Sequence, residues 1–373
     1  MKWVFWGASG LIAYTYLGYA GWLWLRSRCR PHPVRLGSAT PFVSIVMIVR
    51  NEAAVLPGKM RNLMGLNYPQ NLSEIVVVSD GSTDSTNEIL SRFAEDKRVR
   101  VILNSQLRGK AVGLNDAVQA ARGEIVVFTD ARQKIESDAV RLLVENFSDP
   151  YVGCASGELM LGEPHSGEAV KGIGLYWRIE KKIRELESAS ASMVGATGAL
   201  YAVRSNLLVE LPPETILDDV YIPLHVVRQG ARVVFDDRAR AWDLPDLGPA
   251  REFARKVRTL TGNYQLLQLA PWLLSSGNPL RFEFVSHKLL RLVVPFALAA
   301  ALVSSLQAGE PIYRAAFVIQ LAFYGLSMLA MVQLRKGVLA RMADAAFTFV
   351  ILNTAALVAF ANFVTGRKAV WIR

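Results

Sequence analysis

Apolar residues are concentrated at the two ends of the 373-residue chain. Residues 3–25 contain no charged side chain, and basic residues follow at Arg26, Arg28 and Arg30. Because a helix of about 20 apolar residues crosses a hydrocarbon core of about 30 Å, the pattern predicts a transmembrane anchor over residues 1–26. The basic residues place the chain that follows on the cytoplasmic side. A cleaved signal peptide is the alternative, but no small-residue cleavage site precedes the arginines.

Three further apolar stretches lie near the C-terminus, over residues 289–306, 312–334 and 344–365. Each is long enough for a transmembrane helix, so residues 284–373 are predicted to form a membrane region. The preceding residues 261–283 contain a shorter apolar stretch that Pro271 interrupts. This segment is expected to lie along the membrane surface as an interfacial helix.

The charge of the C-terminal tail conflicts with this topology. Three spans after an N-terminal one place residues 367–373 outside, yet Arg367, Lys368 and Arg373 favour the cytoplasm. Either the tail violates the charge rule, or one apolar segment does not cross the membrane. Both explanations stay open.

The intervening residues 42–260 have the pattern of a soluble α/β domain. Continuous runs rich in β-branched residues predict strands at Val43–Val49, Ile75–Ser79, Val99–Leu103 and Ile125–Thr129. Helical patterns lie between them at 53–66, 84–95 and 110–121. This alternation is typical of a parallel, doubly wound sheet, in which ligands bind at the carboxyl ends of the strands.

Composition and charge add little to the prediction of function. The chain has 42 Lys and Arg against 32 Asp and Glu, a net charge of +10. This basic balance suits nucleic acid, an anionic membrane surface or a polyphosphate substrate, and does not choose among them. Cys29 and Cys154 are far apart, and the four histidines lack zinc spacing. A reduced, cytosol-facing chain without a disulfide framework or structural metal is therefore predicted.

Polar residues follow three of the predicted strands. The three segments are Arg50-Asn51-Glu52, Ser79 to Asp84, and Asp130-Ala131-Arg132. One such segment alone would be ordinary turn and helix-cap chemistry, with Ser82 or Thr83 as the cap. Three carboxylate-bearing strand ends in serial order favour a binding site at one edge of the sheet.

In these segments the chain resembles the family 2 glycosyltransferases of GT-A fold, especially the membrane-bound enzymes of bacterial exopolysaccharide synthesis. The resemblance covers about Pro41 to Gly262 through five motifs in the family's order: VSIVMIVRNE, VVVSDGSTDST, RGKAVGLNDAVQAARGEIVVFTDA, ATGALYAVR and LDD. It implies a Rossmann-like, doubly wound, mostly parallel sheet with one N-terminal and about three C-terminal transmembrane helices. It also implies inverting transfer of a sugar from a nucleotide-sugar, with UDP the expected nucleotide.

The resemblance assigns the donor site to Glu52, Asp80, Lys110, Asn115, Asp130 and Arg132. Asp80 would accept a hydrogen bond from the base in the pocket that Glu52 lines, and is expected to support no core. Lys110 and Asn115 would support the nucleotide end.

Asp130 would be the leading acid of a DxD motif, which holds Mg²⁺ or Mn²⁺ against the diphosphate. The chain departs from that motif because Arg132 replaces the second acid, and a guanidinium cannot ligate a metal. Arg132 either contacts phosphate directly or lies in solvent while Asp130 and the donor complete the ion's shell.

The resemblance assigns the acceptor side to Gly198, Ala199, Asp218, Asp219, Arg255 and Arg258. Asp219 would be the general base on the acceptor hydroxyl, and Asp218 would raise its proton affinity. Alternatively, the two acids only complement a helix N-terminus.

Arg255 and Arg258 match the basic end of a QxxRW-type motif found in polymerising members. Ala254 and Thr259 replace its Gln and Trp, which leaves processive synthesis open. The alternative for this stretch is a basic stripe against anionic lipid.

The whole pattern predicts a multi-pass protein of the bacterial inner membrane with a cytoplasmic catalytic domain. Its implied partners are a nucleotide-sugar donor, a glycan or lipid-linked acceptor and membrane lipids, without nucleic acid; no partner subunit is identified. Two alternatives remain. One is a polyprenyl-phosphate glycosyltransferase that makes a lipid-linked sugar. The other is an inactive nucleotide-binding scaffold, which the ordered retention of Asp80, Asp130 and Asp219 disfavours.

Overall fold

The computed structural model describes residues 1–162, 175–244, 249–332 and 337–366. The chain divides into a unit of residues 29–172 and 184–245 and a unit of residues 1–28, 173–183 and 246–373. The first unit holds the sheet, and the described part of the second is helical. The basic tail at residues 367–373 lies outside the described residues.

The described strands are β1 (Val43–Val49), β2 (Ser73–Asp80), β3 (Val99–Asn104), β4 (Ile125–Thr129), β5 (Lys134–Ile135), β6 (Val152–Leu161), β7 (Leu200–Arg204) and β8 (Arg232–Asp243). The described α-helices are α1 (Lys2–Ala13), α2 (Tyr19–Cys29), α3 (Leu56–Met64), α4 (Thr86–Phe93), α5 (Lys110–Ala120), α6 (Ala139–Glu145), α7 (Leu175–Ser190), α8 (Asp218–Arg228), α9 (Pro249–Leu269), α10 (Arg281–Phe284), α11 (Leu290–Ala308), α12 (Pro311–Leu329) and α13 (Val338–Val364).

The strands form a mixed sheet in the order β3-β2-β1-β4-β7-β6-β8-β5. The four predicted strands make its parallel half, because β1 pairs in parallel with β2 and β4, and β2 with β3. In the other half, β7 is antiparallel to both β4 and β6, whereas β6 and β8 are parallel. The predicted α/β class and parallel strands are confirmed, and the antiparallel half is an addition to the prediction.

Helices cover both faces of the parallel half. On one face, Val43, Ile45 and Met47 of β1 pack in a buried core with residues of α3 and α6. Ile48 points to the other face, where a Cβ added at Gly113 of α5 would lie 3.0 Å from its Cγ2. Burial on both sides explains why β1 is a continuous apolar run and not an alternating one.

In the helical unit, α1 and α2 are joined by a π-helical turn into one helix over residues 2–29. Three described helices are long and apolar enough to cross a membrane: Arg281–Ala308, Pro311–Leu329 and Val338–Val364. They match the three predicted C-terminal stretches and indicate a membrane protein. The N-terminal helix is not among them, so its role as an anchor stays a prediction.

The start of the C-terminal region differs from the expectation. Helix α9 runs through the expected domain boundary at residue 260 and ends at Leu269. The expected separate interfacial helix within residues 261–283 is therefore wrong: residues 261–269 continue α9, and a short 3₁₀ turn follows at Pro271–Leu274. Pro271 has no N–H to donate and cannot extend α9. A position along the membrane surface stays a prediction.

Candidate active site

The three polar segments emerge at one edge of the sheet. Because β2, β1 and β4 are adjacent and parallel, the residues that follow them lie side by side. This edge carries Asp80, the segment 50–52 and Asp130. The juxtaposition predicted from the order of the strands is thus present.

Hydrogen bonds hold the loop after β1 against the loop after β2. Asn51 adopts a left-handed conformation with φ of 52°, which Asn tolerates better than most residues. Its Oδ1 accepts the N–H of Thr83 at 2.7 Å, and its own N–H donates to Ser82 Oγ at 3.2 Å. The N–H of Glu52 donates to Thr86 Oγ1 at 3.0 Å. Glu52 is therefore placed by the turn that follows Asp80.

Ser82 and Thr83 do not cap α4, contrary to the alternative considered for them. The N-cap position of α4 is Ser85. Asp84 Oδ1 accepts the N–H of Thr86 at 3.0 Å, and its Oδ2 accepts the N–H of Ala53 at 3.2 Å. Asp84 thus links the start of α4 to the β1 loop.

Asp80 is buried and holds the loop that leads into α5. Its two carboxylate oxygens accept the N–H groups of Arg108 at 2.8 Å and Gly109 at 2.9 Å. The expectation that Asp80 supports no core is therefore wrong, since its carboxylate is buried and, with two backbone donors, fixes its loop. Its contact with a nucleotide base stays a prediction.

Lys110 begins α5 and joins the donor and acceptor motifs. Its Nζ lies 3.1 Å from Asp130 Oδ1 and 3.3 Å from Asp218 Oδ1. Burial by itself lowers the pKa of the ammonium, but the charges of Asp130, Asp218 and Asp219 outweigh it and hold the pKa above its ordinary value. Lys110 is therefore a permanent cation between the two acidic motifs.

Asn115 binds the backbone of a residue that is distant in the sequence. Its Nδ2 donates to the carbonyl of Leu211 at 2.8 Å, and its Oδ1 accepts the N–H of Leu211 at 2.9 Å. This pair fixes the segment that leads to Asp218. A direct contact between Asn115 and the nucleotide stays a prediction.

Arg132 pairs with Glu52 across the donor side. Arg132 Nε lies 3.5 Å from Glu52 Oε1, and the arginine side chain is 51% exposed. Both proposals for Arg132, a phosphate contact or a solvated position, are compatible with this exposure. The pair links the two predicted donor residues at the ends of β1 and β4.

Three of the predicted acceptor-side residues, Gly198, Asp218 and Asp219, lie at or beside the start of α8. Asp218 and Asp219 are its first two residues, as the sequence predicts. Asp219 Oδ2 accepts the N–H of Gly198 at 3.2 Å, and the Asp219 carbonyl accepts the N–H of Ala196 at 2.7 Å. A Cβ at Gly198 would lie 3.1 Å from Asp219 Oδ2, so the close approach favours glycine. Asp218 is buried and Asp219 is partly exposed.

Arg255 and Arg258 lie on α9, which belongs to the helical unit. Their assignment to the acceptor side stays a prediction.

Two buried residues at the site were missed from the sequence. Lys59 is 4% exposed, and its Nζ donates to Thr129 Oγ1 at 2.8 Å and to the carbonyl of Gln133 at 2.7 Å. Burial lowers the pKa of Lys59 to about 7, against the opposing charge of Asp130. Tyr201 is fully buried, and its hydroxyl has no hydrogen-bond partner among the described residues. Its ring stacks on Phe128 with centroids 4.6 Å apart.

The residues of the predicted donor side are suited to a divalent cation only when substrate phosphates supply further ligands. No group of three or more His, Cys, Asp or Glu within the described ranges could hold an ion. The Asp130 side chain is 42% exposed, however, so its carboxylate can be reached. Mg²⁺ is commonly bound by one or two carboxylates together with substrate phosphates and water. Asp130 with a donor diphosphate satisfies this requirement, whereas the protein alone does not.

Residues 44–208 match the family model of glycosyl transferase family 2. Among curated proteins, the chain is 22% identical over 236 residues to a poly-β-1,6-N-acetyl-D-glucosamine synthase of Staphylococcus aureus, covering 60% of this chain and 55% of that protein. It is 31% identical over 154 residues to a β-monoglucosyldiacylglycerol synthase of Nostoc sp., covering 40% of this chain and 33% of that protein. The chain thus spans about half or less of these relatives.

Among solved structures, a mannosyltransferase of Pyrobaculum calidifontis in complex with GDP-mannose and Mn²⁺ matches with a TM-score of 0.75 and 23% identity. The match covers 96% of this chain and 98% of that one. At this identity the similarity shows the fold, which is that of a GT-A glycosyltransferase.

Proposed function

We propose that this chain is a membrane-bound inverting glycosyltransferase, because residues 44–208 match the family model of glycosyl transferase family 2. It moves a sugar from a nucleotide-sugar to a glycan acceptor in polysaccharide or cell-envelope synthesis. The observation that carries the proposal is Lys110, whose ammonium joins Asp130 of the donor motif to Asp218 of the acceptor motif. These two ion pairs support one common site for the proposed donor and acceptor chemistry.

At the donor side, the chain's own residues bind and orient the diphosphate. Lys110 and Arg132 supply cations beside Asp130, and a planar guanidinium suits phosphate oxygens. A divalent cation held by Asp130 and the diphosphate would neutralise the charge that develops on the leaving nucleoside diphosphate. The Mn²⁺ in the similar mannosyltransferase supports this assignment.

At the acceptor side, Asp219 takes the proton of the attacking hydroxyl. The N–H of Gly198 orients one of its oxygens, and the side chain is open to solvent in part. Asp218 is buried and neutralised by Lys110, so it is poorly placed to serve as the base. Inversion in a single displacement needs one carboxylate near the hydroxyl, opposite the leaving group.

The location proposed for the enzyme is the inner membrane of a bacterium, with residues 42–260 in the cytoplasm, where nucleotide-sugars are made. The basic residues after α2 support this orientation. A protease added outside intact cells should leave this domain whole, and cleavage within it would overturn the assignment.

A lipid acceptor is the second candidate. It is supported by the similarity to a protein named for synthesis of a glucosyl lipid and by the three helices that could span a membrane. The two candidates differ in the product, because a sugar linked to diacylglycerol or to polyprenyl phosphate partitions into organic solvent. Radiolabel from the donor that stays in the aqueous or insoluble polymer fraction supports the glycan acceptor.

The test is a panel of UDP- and GDP-sugars given to the detergent-purified full chain, with hydrolysis and transfer measured separately. Asp219→Asn is the matched control, because it retains the fold and an oxygen for the Gly198 N–H. Acceptor-dependent release of nucleoside diphosphate by the wild type and not by the variant supports the proposal. Donor binding without any turnover would support the inactive scaffold instead.

A further inference from the structure

A buried lysine tethers the loop that carries Asp130. Residues 129–133, which we call the Asp130 loop, begin at the last residue of β4. Lys59 Nζ donates to Thr129 Oγ1 at one end of this loop and to the Gln133 carbonyl at the other. Asp130, Ala131 and Arg132 are the residues between the two tethered points. The lysine therefore restrains the part of the chain that bears the predicted ligand of the diphosphate and its cation.

A further hydrogen bond of Thr129 connects Lys59 to the proposed acceptor side. The Thr129 hydroxyl, which accepts from Lys59, donates its own proton to the carbonyl of Ala199 at 2.9 Å. Ala199 follows Gly198, whose N–H binds the Asp219 carboxylate. A continuous path of hydrogen bonds and short backbone links thus runs from Lys59 through Thr129 to the proposed base.

The position of Lys59 argues for a role beyond stability. Leu56, Lys59, Met60 and Leu63 share one face of α3, and all four are buried. An apolar side chain at this position would fill the same space without burying an ammonium, which is costly. Both hydrogen bonds that Lys59 donates go to the Asp130 loop.

We propose that Lys59 is a positioning residue that holds Asp130 at a fixed separation from the acceptor-side residues Gly198 and Asp219. The inference rests on the proposed function, because the separation matters only if both sides act on one transfer. Lys59 touches neither substrate in this proposal. It acts by keeping the reacting groups aligned, and a misplacement of about 1 Å can slow an enzyme on the order of 100-fold.

The first test compares Lys59→Met with Lys134→Met in the full-length protein. Methionine keeps the length of the side chain but cannot donate, and Lys134 is an exposed lysine just beyond the same loop. Hydrogen exchange should rise at least about tenfold across residues 129–133 in Lys59→Met, since two hydrogen bonds of about 1 kcal/mol each are lost, and it should rise there more than in the core strands, whose exchange reports global unfolding. The kcat should fall by about 10- to 100-fold, and the donor KM should change less. Lys134→Met should match the wild type in all of these measurements.

Thr129→Val supplies an independent variant that removes the shared hydroxyl without altering the lysine. It should loosen the same loop, and the double variant should be little worse than the more impaired single one, since both remove one interaction. Unchanged exchange across residues 129–133 in both single variants would overturn the inference. If the wild-type chain transfers no sugar from any donor, the proposed function fails, and the exchange comparison still decides whether Lys59 holds the loop.

Discussion

The two acids at the start of α8 are expected to differ sharply when each is changed to asparagine. Asp219→Asn retains an oxygen that can accept the Gly198 N–H, now 3.2 Å from the carboxylate, but the amide cannot take a proton. Asp218→Asn removes one of the two carboxylates bound to Lys110, and Asp130 still holds that ammonium at 3.1 Å. The first change is expected to remove the proposed general base, and the second to remove one of the two carboxylate partners of Lys110.

A positioned general base contributes about 10²- to 10⁴-fold to the rate. Asp219→Asn should therefore reduce kcat by that factor, a barrier increase of roughly 3 to 5 kcal/mol at about 1.4 kcal/mol per tenfold. Its affinity for the donor should change little, because Asp219 is proposed to act on the acceptor. Asp218→Asn should lose about tenfold or less in kcat, since Lys110 keeps one carboxylate partner and the asparagine keeps an acceptor oxygen.

The assay is steady-state transfer by the purified full chain, with donor binding measured separately by isothermal titration with the nucleoside diphosphate. Both variants and the wild type are compared at one pH and one detergent concentration. Wild-type turnover in Asp219→Asn, or greater loss in Asp218→Asn than in Asp219→Asn, would refute the assignment of the base. Equal loss of donor affinity in both would instead show that α8 belongs to the donor pocket.

Four further outcomes are expected. Asp130→Asn should abolish any stimulation of donor turnover by Mn²⁺, and a wild type equally active in excess chelator would show that no cation is needed. Asp80→Asn turns an amide donor toward one of two backbone N–H groups, so it should lower the free energy of unfolding by about 1–3 kcal/mol in denaturant titrations; an unchanged value would refute the buried role of Asp80. Tyr201→Phe removes a buried hydroxyl without a described partner, so its thermal midpoint should not fall; a clear decrease would reveal a partner. Folding lowers the pKa of Lys59 from 10.5 to about 7, so the unfolded chain binds more protons between these two pH values. The stability of the wild type should therefore rise with pH, relative to that of Lys59→Met, by up to about 1.4 kcal/mol per pH unit. A stability difference that is constant across this pH range would contradict the lowered pKa.

The parallel half of the sheet could be predicted because its signals are local. Strands β1, β2 and β4 contain apolar runs ended by polar residues, and helices α3 and α4 have an amphipathic period. The order of the strand ends then places Asp80, Glu52 and Asp130 at one edge without knowledge of any contact. The half of the sheet that holds β6, β7 and β8 lacks this pattern: β6 and β8 are long, bear charged residues and are irregularly paired, so their pairing depends on neighbours distant in sequence.

The roles of single side chains were harder to predict because they depend on distant backbone. Asn115 binds Leu211, 96 residues away, and no spacing rule indicates such a bond. Asp80 has the strand-end position expected of a ligand contact. Its carboxylate nevertheless accepts the backbone N–H groups of residues that follow 28 and 29 positions later. Lys59 did leave a signal, since it stands three residues after Leu56 and four before Leu63 on the apolar face of α3.

The presence of Arg132 in place of the second motif acid changes the balance of charges at the proposed donor side. In place of a second carboxylate beside Asp130, the chain has a guanidinium that pairs with Glu52. Asp130 is thus the one acid of its motif, with Lys110 as its ion-pair partner and Lys59 behind its loop. Lys110 has a second partner in Asp218. Under the proposed function, an incoming diphosphate would meet cations that are already held in place, and such preorganised charge favours the state in which the leaving group gains its negative charge.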